Sequence, residues 1–410
     1  MSISCRFCKH ELKDLMLSLG MSPLANSYLK KADLNKMEPT FPLDVYICNR
    51  CFLVQLSEYE SPENIFSDYA YFSSYSDILL NHAREYAQMI IKRIRLDRHS
   101  LVVEVASNDG YLLKNFVAQG IPVLGIEPAE NIATAARSKG VPTDVKFFGK
   151  ATAQTMAQKG QLADLLIGNN VLAHVPDLND FVEGMKLALK PQGVITMEFP
   201  HLLCLMENVQ FDTIYHEHFS YFSFLTVDQV FTAHGLEIFD CEAIPTHGGS
   251  LRIYAKHKND NSKSVLARVH SLGDRERDKG LDRLDTYLHF QDKVNANKLA
   301  IIQFFVDSKR AGKKIAGYGA AAKAVTLLNF CGIGKDFIDF IADRSPHKQD
   351  CYLPGSHIPI VHPDRIKSTK PDYIFIPAWN LQEEIIQQLS FARDWGGKFV
   401  VPIPQLEVIG

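Results

Sequence analysis

The chain has 410 residues, a length that calls for two or three domains and not a single core. Hydrophobic residues make up 46% and charged residues 22%, the balance of a globular chain, and no apolar run reaches the length of a membrane span. A formal net charge of −3 gives no global attraction to nucleic acid, and no Lys/Arg tract supplies a local one. The first residues lack the basic-then-apolar profile of a secretory signal, so a cytoplasmic protein is expected, with neither nucleic acid nor membrane as partner.

Residues 1 to 75 hold two Cys-x-x-Cys pairs, Cys5-Arg-Phe-Cys8 and Cys48-Asn-Arg-Cys51, separated by a long gap that contains Leu24-Ala-Asn26. Two such pairs offer four thiolates in tetrahedral geometry, which predicts a closed, structural zinc site in a small loop-rich domain. A redox disulfide is the rival, and a reducing compartment disfavours it. Cys204, Cys241, Cys331 and Cys351 are scattered singly and read as small buried hydrophobes. Next come Tyr69, Tyr71 and Tyr75, too closely spaced to share one helix face.

From residue 100 the pattern alternates between strands and helices. Leu101 to Ala106 reads as a buried parallel strand, followed by the loop Ser107-Asn-Asp-Gly-Tyr111 and a helix through Phe116. A second strand, Val123 to Ile126, ends in Glu127-Pro128, roughly 20 residues after the loop, where an acid can take a ribose hydroxyl pair. The loop carries only Gly110, so an adenosyl ligand fits the pattern better than a dinucleotide pyrophosphate. Asp164 to Gly168 is expected as the fourth strand, ending in Asn169-Asn170 with His174 just beyond, and Val194 to Pro200 as the fifth.

That fifth strand leads to Tyr215-His216-Glu217-His218, four consecutive proton-handling side chains between apolar and aromatic neighbours. A carboxylate beside an imidazole in an apolar setting suits general acid/base work; a satisfied buried polar knot is the structural alternative. In a helix Tyr215 and His218 would share a face; in a strand Tyr215 and Glu217 would. A metal hydrolase is disfavoured, because adjacent side chains diverge in either conformation. Ser220 to Gly235 reads as a helix closed by Gly235, with strands near Glu237 to Phe239 and Leu251 to Tyr254. Residues 258 to 285 read as a charged, solvated connector into a helix ending near Arg310.

The last hundred residues form a second α/β unit. Lys314-Ile-Ala-Gly-Tyr-Gly-Ala-Ala-Ala-Lys323 is a strand, a glycine turn and a helix start, and Asp343 follows at about the dinucleotide spacing after the expected strand Phe337 to Ala342. Taken alone this predicts NAD and a nucleotide-sugar oxidoreductase, the main alternative. A sugar-nucleotide diphosphate would use the same helix N-terminus, with Lys323 to neutralise it. Asp372 to Asn380 is expected as a further strand, with Trp379-Asn380 at its end.

The loop from Glu104 to Tyr111, Glu127 and Asn169-Asn170 resemble class I S-adenosylmethionine-dependent methyltransferases. Together with the four cysteines, Tyr69 to Tyr75, Tyr215 to His218, Thr246-His-Gly-Gly-Ser-Leu-Arg252 and Gly317 to Lys323, the chain resembles the nucleotide-sugar C-methyltransferases of TDP-linked 4-keto-deoxysugars. The resemblance implies an α/β protein of four parts: a zinc domain (1–75), a Rossmann-like methyltransferase domain (76–257), a helical connector (258–300) and a C-terminal Rossmann-like domain (301–410). It implies S-adenosylmethionine held by Glu104, Ser107, Asn108, Gly110, Tyr111, Glu127, Pro128, Asn169 and Asn170. It also implies a TDP-sugar gripped by Gly317, Gly319, Lys323 and Asn380. In the same terms His218 removes the C3 proton, Glu217 tunes or relays it, Tyr215 binds the 4-keto oxygen, and Tyr69 and His174 support the pocket. A monomer or weak homo-oligomer is expected, and a non-catalytic sugar-nucleotide binder is a third reading that intact Glu104, Gly110 and Glu127 argue against.

Overall fold

The computed structural model describes residues 3–61, 73–75 and 77–410, so Tyr69 and Tyr71 lie outside the described residues. No helix among the described residues is long and apolar enough to cross a membrane. The chain divides into two compact units: residues 1–12, 48–201 and 219–283 in the first, and 13–47, 202–218 and 284–410 in the second.

The first unit is built on a seven-stranded sheet. Val102–Val105, all buried, lies at the centre of its five parallel strands, because a strand covered on both faces has no polar side to present. Val123–Ile126 and then Thr143–Asp144 extend the sheet in parallel on one side. Ala163–Asn169 and Leu189–Pro200 extend it in parallel on the other, and the antiparallel pair Ser250–His257 and Leu236–Ile244 completes it. The parallel order reverses beside the central strand, so its C-terminal end opens on a switch point where α/β sheets hold ligands.

Three local expectations differ from what is found. Residues 111–113 are turns, and the following helix is only Lys114–Val117. Ser220–Tyr221 is a short strand, and the helix begins at Phe224, where the Ser223 hydroxyl caps the Thr226 amide at 3.1 Å. The charged connector is not all solvated: it forms the helix Ala267–Asp278, whose Glu276 is fully buried. Glu276 accepts from the Phe224 and Leu225 amides at 2.7 and 2.9 Å and pairs with His201 at 2.6 Å, acting as a distant cap for the Phe224 helix. Composition reports the charge but not the partner that makes its burial tolerable.

The second unit carries a six-stranded sheet in which Ile360–Val361, Ile341–Ala342, Ile315–Tyr318, Tyr373–Phe375 and Lys398–Val401 run parallel and Glu407–Ile409 closes the edge antiparallel. Two strands are shorter than expected, because Phe337–Phe340 and Pro377–Asn380 lie outside regular strand geometry. The unit also recruits a hairpin from near the N-terminus, Asp14–Ser22 against Phe41–Ile47. Spatial grouping therefore departs from the chain-order division at residues 75, 257 and 300. The reason is specific side-chain attachment: the Ser18 amide donates to Gln291 Oε1 at 2.7 Å, and Glu38 pairs with His357 at 2.9 Å.

In the first unit, the helices Lys150–Gln158 and Leu178–Ala188 meet at Gly184, where an added Cβ would lie 2.7 Å from the Gly149 carbonyl carbon. Backbone cannot yield as a side chain can. Gly184→Ala is expected to destabilise the protein by about 1–3 kcal/mol, read as a lower urea midpoint at unchanged slope.

Candidate active site

The four cysteines converge in the first unit, their sulfurs all within 4.8 Å of one another. Cys5 and Cys51 are 3.6 Å apart and Cys8 and Cys48 3.5 Å, near the edge of about 3.8 Å that a tetrahedron with 2.3 Å zinc–sulfur bonds requires. Each Cys-x-x-Cys pair ends in the same turn. Lys9 and Phe52 adopt left-handed φ of 61° and 58°, and their amides return to the carbonyls of Cys5 and Cys48 at 3.0 and 2.8 Å. Gln55 Nε2 donates to Cys5 Sγ at 3.3 Å, orienting one ligand from outside the cluster.

At the C-terminal end of the central strand, the loop after Glu104 alternates left-handed residues: Ala106, Asn108 and Gly110 have φ of 53°, 48° and 75°. The loop thus has the backbone of a glycine-rich turn while spending only one glycine. Asn tolerates this conformation and Ala does so at a cost of about 1–2 kcal/mol. Gly110 has no alternative, since a Cβ there would also fall 2.9 Å from Val141.

Carboxylates gather at this edge. Glu104 is fully buried and held well above the usual carboxylate range by desolvation and by the neighbouring charges of Glu127, Asp109 and Glu198. Glu127 accepts from the Asn108 and Ala129 amides at 3.0 and 3.1 Å, which orients its carboxylate and leaves lone pairs for hydroxyl donors. Burial pushes Glu127 upward as well. Among the described residues, Glu104 Oε2, Ser107 Oγ, Asn169 Oδ1 and Asn170 Oδ1 are buried without hydrogen-bond partners. Buried polar atoms of that kind are satisfied by a ligand or water in nearly all native proteins. A ligand with a cationic sulfonium and ammonium and a ribose matches both the negative charge and the acceptor set, so the residues fit S-adenosylmethionine. Tyr111 is buried in the loop's turn and Pro128 sits half-buried in the bend after Glu127. His174 ends the short 3₁₀ helix Leu172–His174 just past this strand edge, in the first unit. His247, with φ of 55°, lies in the Thr246–Arg252 stretch and places Nε2 3.3 Å from Asn170 Nδ2, a proximity that no spacing in the sequence signals.

Tyr215–His218 belongs to the second unit and is neither helix nor strand. The His218 amide donates to the Tyr215 carbonyl at 2.9 Å, closing a tight turn. The turn stacks the Tyr215 and His218 rings with centroids 4.1 Å apart, both side chains half-buried. The Thr213 carbonyl lies 3.0 Å from His218 Nδ1 and so takes its proton, which leaves the basic lone pair on Nε2. His216 turns inward: it is buried, Nε2 donates to the Pro42 carbonyl at 3.2 Å, and its ring meets Phe41 edge-on. Glu217 is buried too, accepts from Asn26 Nδ2 at 2.7 Å, and is pushed up to about 7 by burial.

Below the turn, Asp212 accepts from Trp379 Nε1 at 2.7 Å and is pushed up to about 6 by burial, which nearby Lys323 opposes. Lys323 donates to Asn380 at 2.9 Å and lies 4.3 Å over the Trp379 ring, and burial brings it down to about 8. The structure therefore brings Lys323 and Asn380 together as a half-buried pair. The glycine turn beside them has steric reasons of its own. A Cβ on Gly317 would meet Ile341 at 2.9 Å, and Gly319 has φ of 98°. Asp343 has its carboxylate oxygens bonded to the Ala320 and Ser345 amides at 2.8 Å each.

Comparison with known proteins bears on this geometry. A family model described as "C-methyltransferase C-terminal domain" matches residues 245–404. A "Methyltransferase domain" model matches 79–240, and a third, described as a zinc binding domain, matches 5–66. The C-methyltransferase NovU of Streptomyces niveus is 36% identical over 405 residues, covering 99% of this chain and 96% of that protein. The chain belongs to this family of C-methyltransferases. A ubiquinone biosynthesis O-methyltransferase of Bartonella bacilliformis is 26% identical over 95 residues, 23% of this chain and 38% of its own. A solved S-adenosylmethionine-dependent methyltransferase from Clostridium acetobutylicum superposes at TM-score 0.35 and 12% identity, over 43% of this chain and 92% of that one. The enzyme is an S-adenosylmethionine-dependent C-methyltransferase with a zinc-binding N-terminal domain, and the matches favour methyl transfer over the nicotinamide oxidoreductase alternative.

Two measurements check the first unit. Elemental analysis should find about one zinc per chain, and Cys48→Ser should lose it together with a drop in melting temperature. Glu104→Gln should weaken S-adenosylhomocysteine binding about tenfold or more by calorimetry, since it removes a fully buried carboxyl that a cationic ligand can pair with.

Proposed function

We propose that the enzyme removes the C3 proton of a TDP-linked 4-keto-deoxysugar and methylates the resulting enolate to give a branched sugar. The observation that carries this reading is the Tyr215–His218 turn, which pairs a phenol with an imidazole whose tautomer Thr213 selects. A carbon next to a ketone loses a proton only to a positioned base, and the enolate oxygen needs a donor as its charge develops.

In this reading His218 Nε2 accepts the C3 proton, while the Tyr215 hydroxyl donates a hydrogen bond to the C4 oxygen and stabilises the negative charge that develops on that oxygen as the C3–H electron pair moves in. Glu217, held near neutrality, takes the proton onward and returns the imidazole to its basic form. His174 is a supporting polar group, and Gly317, Gly319, Lys323 and Asn380 serve the nucleotide diphosphate. Bound S-adenosylmethionine supplies an electrophilic methyl group of sulfonium type. Glu104, Ser107, Asn108, Gly110, Tyr111, Glu127, Pro128, Asn169 and Asn170 would hold the cofactor.

His218→Asn tests the reading. It keeps a hydrogen-bonding side chain near the Thr213 carbonyl but has no basic nitrogen. Turnover of a panel of TDP-4-keto-deoxysugars, followed by mass spectrometry of the product, should fall at least about a hundredfold, while S-adenosylhomocysteine still binds. Full activity in this variant removes His218 as the base. A product methylated on oxygen or nitrogen removes the enolate chemistry.

A further inference from the structure

The segment Leu24-Ala-Asn26 has no part in the chemistry described so far, yet it reaches one of the two buried members of the turn. The Ser27 amide donates to the Leu24 carbonyl at 3.2 Å, closing a turn that presents the Asn26 side chain. From there Asn26 Nδ2 donates to Glu217 Oε1 at 2.7 Å, across 191 residues of sequence. Two residues on, the Tyr28 hydroxyl donates to the Ala320 carbonyl at 2.7 Å, and Lys348 donates to the same carbonyl at 2.9 Å. The segment is thereby anchored at Ala320 and cannot swing away from Glu217 without breaking a second hydrogen bond.

We propose that Asn26 is a positioning residue for the reaction: its side-chain amide holds the Glu217 carboxyl in place and favours the ionised form. The inference rests on the reading of Glu217 as the group that relays the proton. An amide N–H aimed at a carboxylate oxygen stabilises the charge and offers nothing comparable to the neutral acid. Burial works in the other direction, and the two together leave Glu217 at about 7. The other titratable groups around it are Tyr28 on the same segment, with Lys348 and Asp343 beyond it, and Tyr215, His216 and His218 on the turn itself. All of these side chains are retained when Asn26 is replaced.

The sign follows. Without the amide donor, one interaction that favours the carboxylate is lost, so Glu217 holds its proton to higher pH. Activity that needs the carboxylate is then lost at a higher pH as the solution is acidified. The full-length enzyme is compared with Asn26→Leu, Asn26→Ser and Glu217→Gln by infrared titration of the protonated carboxyl stretch. The Glu217 band is the one missing in Glu217→Gln. Its midpoint should rise by about one pH unit in both Asn26 variants, equivalent to a tenfold shift in the protonation equilibrium. The acidic limb of kcat/KM should move by the same amount, with little change above pH 9. Asn26→Ser keeps a small polar residue in the turn and serves if Asn26→Leu does not fold. An unmoved midpoint in a folded Asn26 variant overturns the inference. Full activity with an unchanged pH profile in Glu217→Gln instead overturns the relay reading, and the infrared result for Asn26 is unaffected by that failure.

Discussion

The hydrogen bond from the His218 amide to the Tyr215 carbonyl reverses the chain within four residues, and the sorting of the proton-handling side chains depends on it. In a helix or strand, neighbouring side chains would diverge by the element's own period. In the turn, Tyr215 and His218 come together on the more open side, while His216 and Glu217 are driven into the unit. Each buried member then needs a partner, and each has one: the Pro42 carbonyl for His216 and the Asn26 amide for Glu217. Burial lowers His216 and raises Glu217, so two adjacent residues of the turn are pushed toward their neutral forms by the same cause.

The same logic operates in the first unit with the opposite demand. Glu104, Asp109, Glu127 and Glu198 are close enough to raise the cost of ionising Glu104. Glu198 is relieved by His82 at 2.8 Å and by Arg252, and Asp109 by Lys139 at 2.7 Å. For Glu104 no basic partner is among the causes that set its ionisation, so its neighbours' charges raise it unrelieved. The left-handed backbone at Ala106, Asn108 and Gly110 brings the loop against that edge without the side chains a regular helix would project.

Packing also decided how the chain is grouped. The hairpin 14–22 and 41–47 lies between the two cysteine pairs in sequence, yet it joins the unit that carries the C-terminal sheet. The bonds that hold it there, Ser18 to Gln291, Glu38 to His357 and Tyr28 to Ala320, join residues roughly 270 to 320 positions apart. Such contacts follow no period along the chain. They are nonetheless what carries Asn26 to Glu217.

Much was readable from the residues alone where a rule links spacing to geometry. The two Cys-x-x-Cys pairs, the strands with their buried apolar runs, the acid after the second strand and the glycine turn at 317–319 all follow from covalent reach, side-chain period or the φ that glycine permits. Glu104, Ser107, Asn169 and Asn170 stand at or just beyond strand ends, and they are among the described residues with a buried polar atom that lacks a hydrogen-bond partner. What the sequence could not show was any property set by a distant neighbour. The burial of Glu276, the pairing of Lys323 with Asn380 over Trp379, the left-handed Ala106 and the partner of Glu217 each depend on a residue brought near only by folding. Local sequence determined which elements and which chemistry are present. The tertiary structure decided which of those groups are charged, because ionisation is fixed by desolvation and hydrogen-bond partners, and neither is a local quantity.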